Sequence, residues 1–209
     1  ELAAGEETSQ EGLALDYATA WSYGRAESWN LLIPDFMGGD SGRAFTRDGE
    51  MAKALKPYGL ESFAEQLPAY WGEQPYTAGP TYLGAAALFL ALLGLLLASG
   101  RNKWWIAAVS LLTLLLAWGH NFMGFTEFAF KYLPGYNKFR TVSMALVVVE
   151  WTVPLLAALA LMPLWRGEVP RRKLLRALAW AGGITGGFCL LFAVAGSAIF
   201  DFGRTEAAD

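Results

Sequence analysis

Four stretches of this chain are almost free of charge. Residues 74–100, 104–126, 141–165 and 177–200 contain no Lys or Arg, and Glu150 is their only acidic residue. A helix needs about 20 apolar residues to cross the hydrocarbon core of a bilayer. The pattern therefore predicts four membrane-spanning helices, at about 80–99, 104–122, 142–163 and 177–200. Tyr82, Trp104, Trp105 and Trp118 stand at span ends, where amphipathic rings suit the headgroup layer. Pro154 predicts a kink in the third span, because it removes a helical hydrogen bond and crowds the carbonyl of Glu150. In the fourth span, the small-residue repeats within Gly182-Gly183-Ile184-Thr185-Gly186-Gly187 predict a helix-packing face.

Residues 1–78 follow another pattern. They are polar but rich in rings, including Tyr17, Trp21, Tyr23, Trp29, Tyr70 and Trp71. Disordered segments are poor in aromatics, so an ordered segment is expected. Short helices are predicted at 25–32 and 60–67, stopped by Pro34 and Pro68, and at 48–55. Gly38-Gly39-Asp40-Ser41-Gly42 reads as a turn. The expected fold class is an all-α membrane protein with four transmembrane helices (residues 79–209) and an aromatic-rich extracytoplasmic segment of short helices and loops (residues 1–78).

Composition removes the soluble-enzyme readings. The 209 residues are 55% hydrophobic and only 17% charged, against a usual ~25%. Residues 1–78 hold 5 Lys+Arg against 13 Asp+Glu, net −8, and the rest carries net +5. Arg101, Lys103, Arg166, Arg171, Arg172, Lys173 and Arg176 collect in the connections on one side. Lys131, Lys138, Arg140 and Arg204 lie on the other. Positive charge favours the cytoplasm, so both ends are expected outside it, in a membrane crossed several times. The polar, Met-less start and the close at Asp209 read as ends cut from something longer. The single cysteine, Cys189, cannot make an intrachain disulfide and receives no role.

Three groups of residues suggest chemistry. Rings beside amides and carboxylates can stack on and hydrogen-bond to sugars, which makes Asp16, Trp21, Tyr23, Trp71 and Gln74 sugar-binding candidates. Residues 125, 128, 129, 132 and 133 share one helical face, with Glu127 and Lys131 on the other, as in a helix lying in the interface. Lys138 and Arg140 follow it, as the third span begins. A guanidinium at a helix start is suited to an anion, so Arg140 and Lys138 are candidate phosphate-binding residues. Ordinary lipid phosphates or the acidic outer segment would also satisfy them. Glu150 falls about 15 Å further down a helix. A carboxyl near mid-bilayer is costly, so it is expected to face other helices, either hydrogen-bonded there or in a proton or cation role. No metal motif is present, and no cofactor is assigned.

The strings Leu15-Asp16-Tyr17-Ala18-Thr19-Ala20-Trp21-Ser22-Tyr23-Gly24, Leu31-Leu32-Ile33-Pro34-Asp35-Phe36-Met37-Gly38-Gly39, Tyr70-Trp71-Gly72-Glu73-Gln74-Pro75 and Tyr136-Asn137-Lys138-Phe139-Arg140-Thr141-Val142-Ser143-Met144 resemble the middle of bacterial YfhO-family membrane proteins, over about residues 12–165. The resemblance implies an internal fragment related to GT-C glycosyltransferases. Such enzymes move a sugar from a polyprenyl-phosphate carrier to an extracytoplasmic glycan, polymer or protein. Their catalytic carboxylate lies in the first outer loop, expected upstream of Glu1, so no catalytic residue is assigned here. The partners implied are membrane lipids, the carrier-linked sugar and the remaining segments of a longer chain, with no nucleic acid. A lipid-linked sugar transporter or flippase and a non-catalytic scaffold are the alternatives.

Overall fold

A computed structural model describes residues 13–46, 48–138 and 140–199. Among them the chain forms helices, turns and two isolated β-bridges, Gly38 to Tyr70 and Ala44 to Pro68. The part of the described chain that precedes the long helices, an outer segment in the sense that it flanks them, contains α1 (Leu15–Thr19), a 3-10 stretch over Ala26–Leu31, α2 (Glu50–Leu55) and a second 3-10 stretch over Glu61–Gln66. Then come α3 (Ala85–Leu97), α4 (Asn102–Ala117), α5 (Met123–Tyr132), α6 (Leu146–Trp165) and α7 (Arg171–Ile199).

Two helices, over Val142–Trp165 and Arg171–Gly196, are long and apolar enough to cross a membrane. Only 11% of the apolar window in the second is buried within the protein. Trp151, Val194, Leu190 and Trp180 stand exposed on these helices, a surface suited to lipid rather than water. The fold is thus all-helical and consistent with a membrane protein.

The first two expected spans are shorter as helices. Gly84 takes a left-handed φ of +95°, which an α-helix does not accommodate, so α3 begins only at Ala85. Its 13 residues extend about 20 Å. Leu83 and Gly84 instead donate their backbone N–H groups to the Leu31 carbonyl of the outer segment. At the other end Lys103 Nζ donates to the carbonyls of Leu95 and Ala98 at 2.7 and 2.8 Å, which satisfies acceptors orphaned by the end of α3. Helix α4 stops at Ala117, and the chain over Asn102–Ala117 and Gly119–Tyr132 bends by 113°. Gly119, at φ +49°, makes the corner, where any Cβ would collide with the Ser22 hydroxyl.

Helix α6 lies between α3 and α4, and α7 packs on α3. The four helices therefore make an arc in the order α7, α3, α6, α4. Close approach of α3 and α6 depends on Gly94, since a Cβ there would collide with the Leu156 carbonyl. The core is not confined to the long helices. Tyr23 and Leu31 of the outer segment share one buried cluster with Ala91, Ile106, Ala117 and Val149. Residues 22–36 therefore form a plug wedged into one end of the arc. Trp29 of the plug meets Phe188 and Phe192 of α7, with ring centroids 5.0 and 4.7 Å apart.

Two expectations about the helix faces are corrected. On α7 the packed row is Ala177, Ala181 and Thr185, not the glycine stripe. A Cβ on Gly183, Gly186 or Gly187 would meet nothing within 4 Å. On α6 the buried row Leu146, Val149, Val153 and Leu156 leaves Glu150 outside it and exposed, rather than facing the other helices. Pro154 and Pro163 both lie within α6, which is continuous through them.

Candidate functional site

The outer segment is organised around a carboxylate that its sequence does not advertise. Glu27 sits in the 3-10 stretch of the plug and is 1% exposed. Its Oε1 accepts from the Tyr70 hydroxyl and from the backbone N–H of Glu73, the latter at 2.6 Å. Its Oε2 accepts from Gln74 Nε2 at 3.1 Å. The Tyr23 hydroxyl donates to the Glu27 carbonyl at 2.7 Å, and the backbone N–H of Gln74 donates to the Tyr70 oxygen at 2.9 Å. Both oxygens of this buried side chain are thus hydrogen-bonded, as burial of a polar group requires. Gly72 leaves the room: a Cβ would strike both Glu27 and Tyr70. Burial, then the Glu27 charge, pushes the Tyr23 phenol well above its ordinary value of 10.0. Burial, then the hydrogen bond to Glu27, does the same to Tyr70.

A second set of bonds ties the plug to the bend after α4. Tyr23 donates its N–H to the Ala117 carbonyl at 2.8 Å, and His120 donates its own to Ser22 Oγ at 2.9 Å. His120 Nδ1 lies 3.2 Å from the Thr19 carbonyl, which places a proton on that nitrogen. Asn121 Nδ2 donates to the Tyr23 carbonyl at 3.1 Å, and Trp118 Nε1 to Ser28 Oγ at 2.8 Å.

Three spaces surround the plug. A groove of about 370 Å³ lies on the concave side of the arc, between Leu88 and Leu92 of α3, Leu111 of α4 and Ile184 of α7, with Trp29 at one end. Its hydroxyls are spoken for. Ser110 bonds with the Ile106 carbonyl and the Thr152 hydroxyl, Thr185 donates to the Ala181 carbonyl, and Ser28 accepts from Trp118. A cleft of about 500 Å³ is bounded by Ile33, Asp35, Trp71, Ala85 and Phe192. A polar pocket of about 210 Å³ adjoins Asp35, Arg43, Phe45, Thr46 and Trp71.

The expected sugar-binding residues separate into different places. Tyr23 and Gln74 come together at Glu27, as parts of its hydrogen-bonded surround. Trp71 stacks on Phe45, centroids 6.4 Å apart and planes within 8°, and borders both the cleft and the polar pocket. Asp16 is exposed on α1, and Trp21 is half-buried after it. Arg140 is exposed, its guanidinium 5.5 Å from the Tyr17 ring centroid, and Lys138 is exposed in the preceding 3-10 turn. Glu27 and Asp35 were not among the residues singled out from sequence. The glycine two residues past Tyr70 is the one local hint of the first, and the Pro34-Asp35 pair, a turn dipeptide, of the second. No group of three or more His, Cys, Asp or Glu side chains able to hold a metal occurs among the described residues. Comparison of the chain with family models, with characterised proteins and with solved structures returns no match.

Proposed function

We propose that the chain is the membrane-embedded, donor-binding part of a glycosyltransferase-like protein of the bacterial inner membrane, using a polyprenyl-phosphate-linked sugar to modify an extracytoplasmic glycan, polymer or protein. In this reading α3, α4, α6 and α7 all cross the bilayer, with the plug and both chain ends on the outer side. Helix α3 covers about 20 Å of a ~30 Å core; the plug, bonded to its first turn through Leu31, fills the remainder. The YfhO-like strings and the cations of the short connections support the same arrangement.

The observation that carries the reading is the concave groove. Its lining offers hydrocarbon and satisfied hydroxyls, so it favours an apolar chain over water or a sugar. Arg140 and Lys138, exposed in the turns that precede α6, are the cations suited to the carrier's phosphate, and a positioned cation there would stabilise charge developing on the leaving group. A transporter would use Glu150 and the Pro154 kink for movement; Glu150 is exposed on α6 rather than packed among the helices, which does not favour that alternative.

Filling the groove tests the proposal. Ala107→Trp, on the α4 wall, is expected to raise the KM for a long-chain carrier-linked sugar several-fold in the full-length protein. The KM for a donor with a truncated chain should stay as in the wild type. Equal KM values for the long-chain donor in the two proteins would contradict the assignment.

A further inference from the structure

Glu150 lies eight residues beyond Val142, where the long apolar helix that ends at Trp165 begins. At a rise of 1.5 Å per residue it stands about 12 Å along that helix. From there a carboxyl is too short to reach the headgroup layer, and an acid exposed to hydrocarbon is costly unless it is paired. Trp151 beside it is 77% exposed, although an indole N–H is better placed at the interface. Among the described residues neither the Glu150 carboxyl nor the Trp151 N–H has a hydrogen-bond or ion-pair partner. Pro154 adds a third polar group, because it offers no N–H to the Glu150 carbonyl.

These groups border a regular seam. Val147, Trp151, Pro154, Ala158, Leu161 and Trp165 are all exposed, and they are spaced alternately by four and three residues. That is the seven-residue repeat by which two helices pack side by side in a left-handed pair. The opposite side of α6, with Val149, Val153 and Leu156, is taken up by the protein's own core and by the concave groove. The seam therefore faces away from the groove. In a parallel pair each seam residue enters a hole walled partly by the residue that precedes its counterpart on the other helix. Trp151 of one helix thus meets position 150 of its neighbour. An unpaired donor next to an unpaired acceptor makes the seam self-complementary: what each helix lacks, an identical helix supplies.

We infer that the protein forms a two-fold dimer through α6, with Trp151 Nε1 of each protomer donating to the Glu150 carboxyl of its partner. Two copies inserted the same way into one membrane are parallel, as this packing requires. The inference rests on α6 crossing the bilayer, as in the reading above, but not on transfer chemistry, since no seam residue lines the groove.

Energy transfer between full-length copies tests it, with donor or acceptor dye on a terminal tag and the two populations mixed in phosphatidylcholine vesicles. Transfer is expected to exceed that of randomly placed monomers and to fall on dilution with lipid. Glu150→Leu and Trp151→Phe should each weaken association about tenfold, since each removes both reciprocal hydrogen bonds. Glu150→Gln keeps an acceptor oxygen and should associate within about twofold of the wild type. The Glu150→Leu, Trp151→Phe double variant should be no weaker than either single one, because both changes delete the same bonds. Val194→Phe, on the exposed side of α7, should leave association unchanged. The inference is overturned by transfer at the random level, by single variants that associate like the wild type, by losses that multiply in the double variant, or by equal weakening with Val194→Phe. A chain that fails to enter the vesicles would overturn the membrane reading and the dimer with it. Dimerisation as described without use of a carrier-linked sugar would support the inference and count against the proposed function alone.

Discussion

The carboxylate of Glu27 accepts a hydrogen bond from the hydroxyl of Tyr70, 43 residues further along the chain, at a point where Glu27 is 1% exposed. With the bonds from the Glu73 N–H and the Gln74 amide, that contact clamps the plug to the stretch that carries Trp71. Because the plug also packs with α3, α4 and α6, the clamp sets the position of the segment before α3 on the helical arc.

Removing either side of the clamp should be costly. Tyr70→Phe takes one donor from a buried carboxylate, at an expected cost of about 1–3 kcal/mol. Glu27→Ala should cost more, since it strands the Tyr70 hydroxyl, the Glu73 N–H and the Gln74 amide together. Chemical unfolding of the detergent-solubilised protein measures both. An Ala variant as stable as the wild type would show that the clamp contributes nothing.

The two glycine environments should respond in opposite ways. Gly94→Ala places a methyl against the Leu156 carbonyl and should destabilise the α3–α6 pair by about 1–3 kcal/mol. Gly183→Ala meets open space and improves helix propensity, so stability should be unchanged or slightly higher. The reverse order, read from thermal unfolding midpoints, would mean that the packed face of the arc is assigned to the wrong residues.

Stability should also fall at high pH. Desolvation pushes the Tyr136 phenol up to about 12 from 10.0, and its hydroxyl donates to the Leu116 carbonyl at 2.9 Å. The folded state thus holds this proton more tightly than the unfolded state. Its contribution is complete below pH 10 and is lost as pH rises from 10 toward 12, at no more than about 1.4 kcal/mol per pH unit for one phenol. Tyr23 and Tyr70 are displaced in the same direction and add to the loss. Tyr136→Phe should cost about 1 kcal/mol at neutral pH through the missing hydrogen bond and should flatten the alkaline decline. A decline just as steep in that variant would assign the titration elsewhere.

Arg140 offers a separation of roles. Its contact with the Tyr17 ring is exposed and worth about 0.5–1 kcal/mol, so Arg140→Ala should barely alter the unfolding midpoint. If Arg140 holds the carrier phosphate, the same variant should raise the donor KM about tenfold or more. Normal donor use with Arg140→Ala would remove the phosphate assignment.

Much of this arrangement is legible in the chain because it depends on local pattern. The apolar run bounded by Arg140 and Arg166 yields α6, the run that starts after Arg176 supplies most of α7, and the apolar spacing at 125, 128, 129 and 132 falls on α5. The parts that escape sequence reading depend on distance. Glu27 reads as a surface charge until Tyr70, Glu73 and Gln74 fold onto it. Trp29 reads as one ring among many until Phe188 and Phe192 arrive from the far end of the chain. The start of α3 is set by the left-handed backbone of Gly84 and the carbonyl of Leu31, which the apolar run from Pro80 gives no reason to expect. Tyr23 and Gln74 looked suited to a sugar for the same polar-aromatic character that suits them to bond around Glu27.

Cross-linking the plug to α7 is the most direct test of the central claim that the outer segment is wedged into one end of the helical arc. Trp29 and Phe188 can each be replaced by Cys in a Cys189→Ser background, and the pair treated in native membranes with a short membrane-permeant bismaleimide, since removing two contacting rings leaves the new thiols too far apart for a direct disulfide. Ring contact predicts efficient cross-linking of the double variant by the bismaleimide and poor labelling of position 29 by a membrane-impermeant maleimide. Free labelling at position 29 with no cross-link to position 188 would contradict the account.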